Sequence, residues 1–186
     1  MTVALVIAGI VLLLLLAFLL SYNRFVRQRQ LIDNSWSNVD TELKRRYDLV
    51  PNLVTAVKGY AAHERQTLEA VIQARAAAVA STGGAAEQAD SENVLVDALK
   101  QLLALREAYP ELQANEHFAD LQRQLIVTED RIQAARRFYN ANVRDFNTRV
   151  ESFPSTIVAS MCGFKKADWF EIDHAIRDTG APEVKL

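Results

Sequence analysis

The residues whose spacing is most specific for chemistry are Glu171 and His174, which form a Glu-x-x-His motif. Helical bundles bind a pair of metal ions through two such motifs and two further glutamates. A second copy is missing, because His63 and His117 each have a glutamate only as an immediate neighbour. The sequence therefore predicts no metal site.

Cys162 is the single cysteine and the one thiol that could act as a nucleophile. Its neighbours from Ala159 to Phe164 are mostly apolar, and such surroundings raise the pKa of a thiol. We expect Cys162 to serve in packing. The sequence also lacks Walker-type, dinucleotide-binding, HExxH and GxSxG motifs. It predicts no catalytic residue and no cofactor site.

A charged cluster between residues 40 and 52 is the other candidate for function. Asp40 and Lys44 lie four positions apart, the spacing of a stabilising ion pair on a helix. Such a run is usually a solvated helix face. The alternative is a docking surface for an acidic partner or anionic headgroups, and the residues of this possible interaction face are Lys44, Arg45, Arg46 and Asn52.

Further polar residues interrupt the apolar helix faces: Asn52, Tyr60, Glu129, Arg136, Tyr139 and Asn140. A buried polar residue on a helical seam fixes the register of the helices at some cost in stability. We interpret these residues as such structural devices. A polar groove that binds a peptide or helix is the alternative.

Long amphipathic helices position these residues, because apolar residues recur at steps of three and four rather than two. The first stripe contains Ile32, Trp36, Val39, Leu43, Tyr47, Val50, Val54, Val57, Ala61, Leu68 and Ile72. The clearest stripe is the later one, with Phe118, Leu121, Leu125, Thr128, Ile132, Ala135, Tyr139, Val143, Phe146, Val150 and Phe153. The pattern predicts an all-α fold, an antiparallel bundle of three to four long helices.

Helix boundaries follow from capping and breaking residues. The stripe keeps its register across Pro51, which favours a kinked continuous helix over a break capped by Asp48. The residues from Ser81 to Gly84 end that segment. A shorter helix is predicted at 91–108 with Ser91 as its N-cap, and a long one from Asn115 to Pro154. One more short helix is expected within 155–164 and a loose tail at 178–186.

Residues 3–20 form an uncharged apolar run that is long enough to span a bilayer as a helix. A cleaved signal peptide is the rival interpretation, but the run has no basic start and no A-x-A site after it. The predicted domains are a tail and transmembrane helix at 1–23, a helical bundle at 24–170 and a C-terminal tail at 171–186.

The charges beside the apolar run predict its orientation. No Lys or Arg precedes it, whereas Arg24, Arg27 and Arg29 follow it at once. The positive-inside rule places the N-terminus outside and the helical domain in the cytoplasm. The three arginines are also the side chains expected to touch lipid headgroups.

The chain resembles the LemA family in long segments that run from Tyr22 to Glu171. These segments are WSNVD from Trp36, LKRRYDLVPNLVTAVKGYAAHE from Leu43, LREAYPELQAN from Leu105, LQRQLIVTEDRI from Leu121 and ARRFYNANVRDFN from Ala135, with Phe153-Pro154 and Gly163-Phe164. The resemblance implies a bacterial membrane protein with one N-terminal span, an outside N-terminus and a helical-bundle domain. It implies no activity, and the magnetosome membranes in which some relatives occur are not implied for this chain.

Two functions from different classes fit these features. The first is a membrane-tethered interaction or scaffold protein at the bacterial cytoplasmic membrane, which binds a protein partner or itself. The second is an enzyme, or a protein that binds a ligand or metal, whose site is assembled between helices, with His63, Glu64, Glu129 and Arg136 as the candidates. The net charge of −2 and the absence of a basic excess speak against nucleic acid as a partner.

Overall fold

The structure, a computed structural model, describes residues 1–172 and confirms the all-α fold. His174 and the predicted tail at 178–186 lie outside the described residues. Within the described part the chain forms helices and turns and no strand. Residues 1–172 contain six helices: α1 (Thr2–Lys58), α2 (Arg65–Ala80), α3 (Ala85–Ala108), α4 (Pro110–Gln113), α5 (Glu116–Glu151) and α6 (Ser155–Cys162).

Helix α1 joins the apolar run to the first amphipathic segment without a break. Its apolar 18-residue window has a mean hydropathy of 3.3 and none of it is buried, so the helix is long and apolar enough to cross a membrane. Pro51 lies inside α1, which confirms that the helix continues across it. A proline leaves the carbonyl four residues earlier without its helical partner. Arg75 Nε compensates by donating to the Tyr47 carbonyl over 2.7 Å.

The first amphipathic segment consists of two helices, because α1 ends at Lys58 and α2 begins at Arg65. The expectation of one segment up to Ser81 is therefore wrong. Ala61 is fully buried although it lies in the intervening turn, so apolar spacing persists where the helix does not. The turn shifts the register of α2, so that Val71 is buried and Ile72 is 52% exposed.

Helix α3 begins at Ala85, six residues before the predicted start. Its first turns bury the polar Gln88 and Glu92, so they show no apolar stripe. Ser91 is not an N-cap, since it lies inside α3 and its hydroxyl donates to the Glu87 carbonyl over 3.3 Å. The predicted cap at Asn115 is confirmed, because its Oδ1 accepts from the Phe118 amide over 2.8 Å.

Helix α5 ends at Glu151, before Pro154, and α6 is the expected short helix that follows. Most of the predicted α5 stripe is buried, from Phe118 to Phe146. Phe153, the predicted last member, is 82% exposed, because the chain has already left the helix at that point. Gly163 ends α6 in the left-handed conformation at φ 73°, where a side chain would be strained.

The chain divides into two compact units, to each of which α1 and α5 contribute. The anchor unit comprises Met1–Ser37 and Phe138–Ala167. The arginine unit comprises Asn38–Arg137 and the described residues from Asp168 onward. The leucine core of the arginine unit includes the fully buried or nearly fully buried Leu43, Leu53, Leu95, Leu99, Leu102, Leu103, Leu112 and Leu125.

Candidate functional site: a buried arginine cluster and an exposed basic groove

Arg46 lies in the core of the arginine unit and is 0% exposed. Its inclusion in the predicted interaction face is therefore wrong. The physical reason is helical geometry, because Arg46 is three residues from Leu43 and four from Val50, both of which are buried. The same spacing was the signal in the sequence that could have placed Arg46 on the buried face.

Two carboxylates from different helices hold the Arg46 guanidinium. Its Nη1 donates to Glu129 Oε1 of α5 over 2.8 Å, and its Nη2 donates to Glu92 Oε2 of α3. The side chain of Glu92 is fully buried and that of Glu129 is 13% exposed. Because a buried charge must be paired and hydrogen-bonded, this arrangement ties α1, α3 and α5 together at one point.

Tyr47 and Gln88 extend this cluster around Glu92. The Tyr47 hydroxyl donates to Glu92 Oε1, the oxygen that does not face Arg46. Gln88 Nε2 lies 2.8 Å from Glu92 Oε1, 3.1 Å from the Tyr47 hydroxyl and 3.1 Å from the Ala78 carbonyl of α2. The arginine cluster, which we define as Arg46, Tyr47, Gln88, Glu92 and Glu129, therefore links four helices.

The electrostatics of the cluster keep Arg46 charged and Tyr47 neutral. Burial alone would lower the pKa of Arg46, but Glu129 and Glu92 outweigh it and raise this pKa above its ordinary value. Burial raises the pKa of Tyr47 far above its ordinary value, and the Glu92 carboxylate raises it further. The side chains of the arginine cluster bind one another, so the cluster fixes the positions of the helices that carry them.

The other residues of the predicted interaction face, Lys44, Arg45 and Asn52, are exposed. Lys44 pairs with Asp40 over 2.7 Å, and Arg45 pairs with Glu42 over 3.1 Å. These three residues can be reached by a partner, and their role remains a prediction.

Arg45 also lines a groove of about 430 Å³ between α1 and α5. We call it the basic groove, and its residues are Arg45, Asp48, Leu49, Arg123, Gln124, Val127, Thr128 and Arg131. Val127 is half exposed. Three arginines and Asp48 surround a small apolar centre, so the charge of the lining is net positive. Such a lining suits an acidic protein surface, because arginine binds carboxylates with two parallel hydrogen bonds. Arg123 already pairs with Asp120 over 3.1 Å. The apolar periodicity of α5 did not reveal this groove, because Arg123 and Arg131 lie outside the apolar stripe of that helix.

The four candidates of the enzymatic alternative have separate environments. Glu64 accepts from the Tyr109 hydroxyl over 3.0 Å, and Glu129 belongs to the arginine cluster. Arg136 donates to the Ile172 carbonyl, and His63 is exposed in the turn after α1. These contacts take the candidates to different partners, so the described structure gives their convergence no support.

Other predicted polar and reactive residues are placed as follows. Glu129 is a partly buried link between helices, as predicted, whereas Asn52 and Tyr60 are exposed and do not lie on a buried seam. Cys162 is exposed, so the expectation that it packs in the core is wrong. The reason is that Cys162 lies next to Met161, which is 71% exposed, whereas α6 buries Val158 and Ala159. Over residues 1–172, no group of three or more His, Cys, Asp or Glu side chains is arranged to hold a metal ion.

The fold and cluster define a class of protein, an all-α bundle whose first helix begins as an apolar segment able to cross a membrane. The sequence model of the LemA family matches residues 35–186, and the chain belongs to this family. Family membership and the apolar helix together indicate a membrane-associated helical protein of bacteria.

Curated relatives extend this comparison. Magnetosome protein MamQ 2 of Paramagnetospirillum magneticum is 26% identical over 82% of this chain and 65% of its own length. Magnetosome protein MamQ of Magnetospirillum gryphiswaldense is 27% identical over the same shares. Protein LemA of Metamycoplasma hominis is 25% identical over 74% of this chain and 63% of its own length. The chain therefore spans less than two thirds of the length of these relatives.

Proposed function

We propose that this protein is a membrane-anchored interaction protein of the bacterial cytoplasmic membrane, without catalytic activity. Residues 3–20 cross the bilayer, and the helical domain binds a protein partner in the cytoplasm. The observation that carries this proposal is the continuity of α1, in which the apolar run and the buried face of the bundle belong to one helix. Such a helix fixes the bundle at the membrane surface.

The packing just after the apolar run supports a retained anchor rather than a cleaved signal peptide. The Tyr22 ring lies 5.8 Å from the Phe164 ring, and Phe25 is fully buried. A protease that trimmed the chain near Ser21 would have to cut within α1, immediately before these packed residues. Arg24, Arg27 and Arg29 follow the run, which supports a cytoplasmic domain and an outside N-terminus.

The basic groove supports an acidic protein surface as the partner. Arg45, Arg123 and Arg131 line it, and the exposed Lys44 and Asn52 belong to the same helix as Arg45. Anchoring raises the effective concentration of the groove for other membrane-bound proteins. An interaction protein therefore needs only modest affinity at the groove to form a complex.

Affinity capture of the full-length chain from solubilised membranes tests the partner. The test variant combines Arg45→Glu, Arg123→Glu and Arg131→Glu. The matched control combines Lys58→Glu, Arg65→Glu and Arg137→Glu, which makes the same charge change at exposed positions outside the groove. We expect the native chain and the control to retain a specific protein that the groove variant loses. Equal capture by both variants would exclude the groove, and capture of no partner would contradict the interaction function.

Alkaline extraction and sidedness reporters test the anchor separately. We expect the chain to resist carbonate extraction, and a fluorescent protein fused after Leu186 to be active in the cytoplasm. A chain that is extracted by carbonate, or whose mature N-terminus lies near Ser21, would overturn the anchor. A C-terminal alkaline phosphatase fusion that is active would overturn the orientation alone.

A further inference from the structure

The outward face of α6 is apolar. Phe153, just before α6, is 82% exposed, Ile157 is 51% exposed and Met161 is 71% exposed. Residues four apart lie on the same face of a helix, so Ile157 and Met161 form a continuous apolar surface. The opposite side buries Val158 and Ala159. Helix α6 therefore has apolar residues both toward the protein and away from it, which is unfavourable for a helix in water.

The contacts of α1 with α5 in the anchor unit place α6 at the end of the apolar run. The Trp36 ring lies 5.2 Å from the Tyr139 ring, and Asn142 reaches the Leu31 carbonyl over 3.5 Å. The contacts then continue to Phe25, whose ring lies 5.9 Å from that of Phe146. The two helices therefore run antiparallel in this unit, and α5 leads toward the membrane-spanning residues.

The same register, continued to Phe153, places this residue opposite about residue 20, the last residue of the apolar run. The chain returns from α6 at the same level, because the Phe164 ring lies 4.7 Å from the Phe25 ring and 5.8 Å from the Tyr22 ring. Both ends of α6 therefore lie beside the first residues that follow the membrane span.

Basic residues lie around the segment that follows α6, further along α1 than the apolar run. A pocket of about 330 Å³ is lined by Arg29, Lys165 and Lys166, with Asp33 as the opposing charge. Lys166 also pairs with Glu151. Long basic side chains can reach phosphate groups while their apolar stems lie on apolar surface.

Arg149 adds to this charge. Its guanidinium lies over the Phe25 ring, 5.9 Å from the centroid. Burial lowers the pKa of Arg149, and the charge of Arg24 lowers it further, as expected where positive groups crowd together. Anionic groups from a membrane surface would relieve this crowding.

We propose that α6 is a second membrane contact, an interfacial helix that inserts Phe153, Ile157 and Met161 at the boundary between headgroups and acyl chains. The partner is the phospholipid bilayer, whose phosphates meet the basic residues around Arg29 and Lys165. Interfacial helices bury an apolar face about 5–10 Å into this boundary. The inference rests on the proposed anchor, and it adds a contact that holds the anchor unit against the lipid surface.

Cys162 provides the reporter, because it is the single cysteine, is exposed and is the last residue of α6. A nitroxide is attached to Cys162 of the full chain in phosphatidylglycerol and phosphatidylcholine vesicles. Its accessibility to oxygen, which concentrates in lipid, is compared with that to a water-soluble nickel chelate. Two further labels, Leu12→Cys and Phe138→Cys, are made in a Cys162→Ser background. Phe138 is 56% exposed in the same unit, about 20 Å beyond the apolar run along the helices.

We expect the oxygen-to-nickel ratio to exceed one at Cys162 and Leu12 and to fall below one at Phe138. The double variant Ile157→Asp and Met161→Asp should bring the Cys162 ratio below one, whereas Phe138→Asp should leave it unchanged. A ratio below one at native Cys162 with a lipid value at Leu12 would overturn the interfacial helix and leave the anchor intact. A ratio below one at Leu12 would overturn the anchor itself.

Discussion

The anchor unit and the arginine unit use the same two long helices but stabilise them by different chemistry. In the anchor unit, α1 meets α5 and the segment after α6 through the rings of Phe25, Phe146 and Phe164. In the arginine unit, α1 meets α3 and α5 through the Arg46 guanidinium and the carboxylates of Glu92 and Glu129. One contact region is aromatic, and the other is ionic and buried.

The difference follows from what each chemistry contributes. Stacked rings provide apolar area and tolerate small shifts, because their preferred arrangements are broad. A buried ion pair costs desolvation and recovers this cost only when its hydrogen bonds are well formed. It therefore contributes little net stability and penalises every wrong register. We infer that the arginine cluster specifies how four helices align, whereas the aromatic contacts mainly add stability to the anchor unit.

Among the substitutions that compare the two units, the replacement of Arg46 has the largest expected effect on the free energy of unfolding. Arg46→Ala leaves the buried Glu92 and the partly buried Glu129 without their cation, which costs about 3–5 kcal/mol. Urea unfolding of the full chain in detergent, followed by circular dichroism, measures the loss. Arg45→Ala is the control at the neighbouring exposed position, with an expected change within about 0.5 kcal/mol.

Two outcomes would contradict the inference that the arginine cluster specifies helix alignment and contributes little net stability. A cost below about 1 kcal/mol for Arg46→Ala would mean that the pair is not desolvated. The quadruple variant Arg46→Met, Tyr47→Phe, Glu92→Leu and Glu129→Met removes all three charges together with the hydroxyl that donates to Glu92, and we expect it to recover most of the lost stability. If it remains as unstable as Arg46→Ala, the cluster stabilises the fold outright.

Replacing the central ring of the anchor unit has an intermediate effect. Phe25→Leu keeps an apolar side chain but removes ring pairs with Phe164 and Phe146, each worth about 0.5–1.5 kcal/mol, so we expect a loss of about 1–3 kcal/mol. Hydrogen exchange of the full chain should accelerate within 138–167. Phe138→Leu, at an exposed ring of the same unit, should change little. Acceleration confined to the arginine unit would contradict the assignment of Phe25 to the anchor core.

Local signals were sufficient to predict much of this fold. The uncharged run at 3–20, the stripe of α5 and the cap at Asn115 each depend on neighbouring residues, and such patterns are visible in one sequence. The break after Lys58 was missed because Ala61 continues the apolar spacing through a turn. Phe153 illustrates the same cause with a different outcome, since the apolar spacing continues past the end of α5 but this residue is exposed.

The arginine cluster could not be predicted in the same way. Its ion pairs join Arg46 to Glu92 and Glu129, which lie 46 and 83 positions further along the chain. No local pattern encodes which distant carboxylates meet a given cation. Polar residues at buried positions also conceal the start of α3, because Gln88 and Glu92 resemble surface residues until their partners are known. The sequence therefore showed which faces are apolar, and the tertiary pairing decided which polar residues join them.

The proton on Tyr47 gives the smallest and most specific test of the comparison. Burial and the Glu92 carboxylate hold the pKa of Tyr47 above its ordinary value, so the folded chain keeps this proton after the unfolded chain has released it. Stability from this group is complete below about pH 10 and is lost as the pH rises further, by at most about 1.4 kcal/mol per pH unit.

Tyr47→Phe removes this titration together with the hydrogen bond to Glu92. The native chain should be the more stable at neutral pH, and its advantage should shrink as the pH rises above about 10, because only the native chain has a proton to lose. Urea unfolding of both chains on either side of that pH measures the difference. The phenylalanine rings of the anchor unit do not titrate, so the Phe25→Leu difference should stay constant over the same range. If the difference in free energy of unfolding between the native chain and Tyr47→Phe stayed constant, the Tyr47 hydroxyl would be solvated. Tyr47 would then not belong to the desolvated part of the arginine cluster.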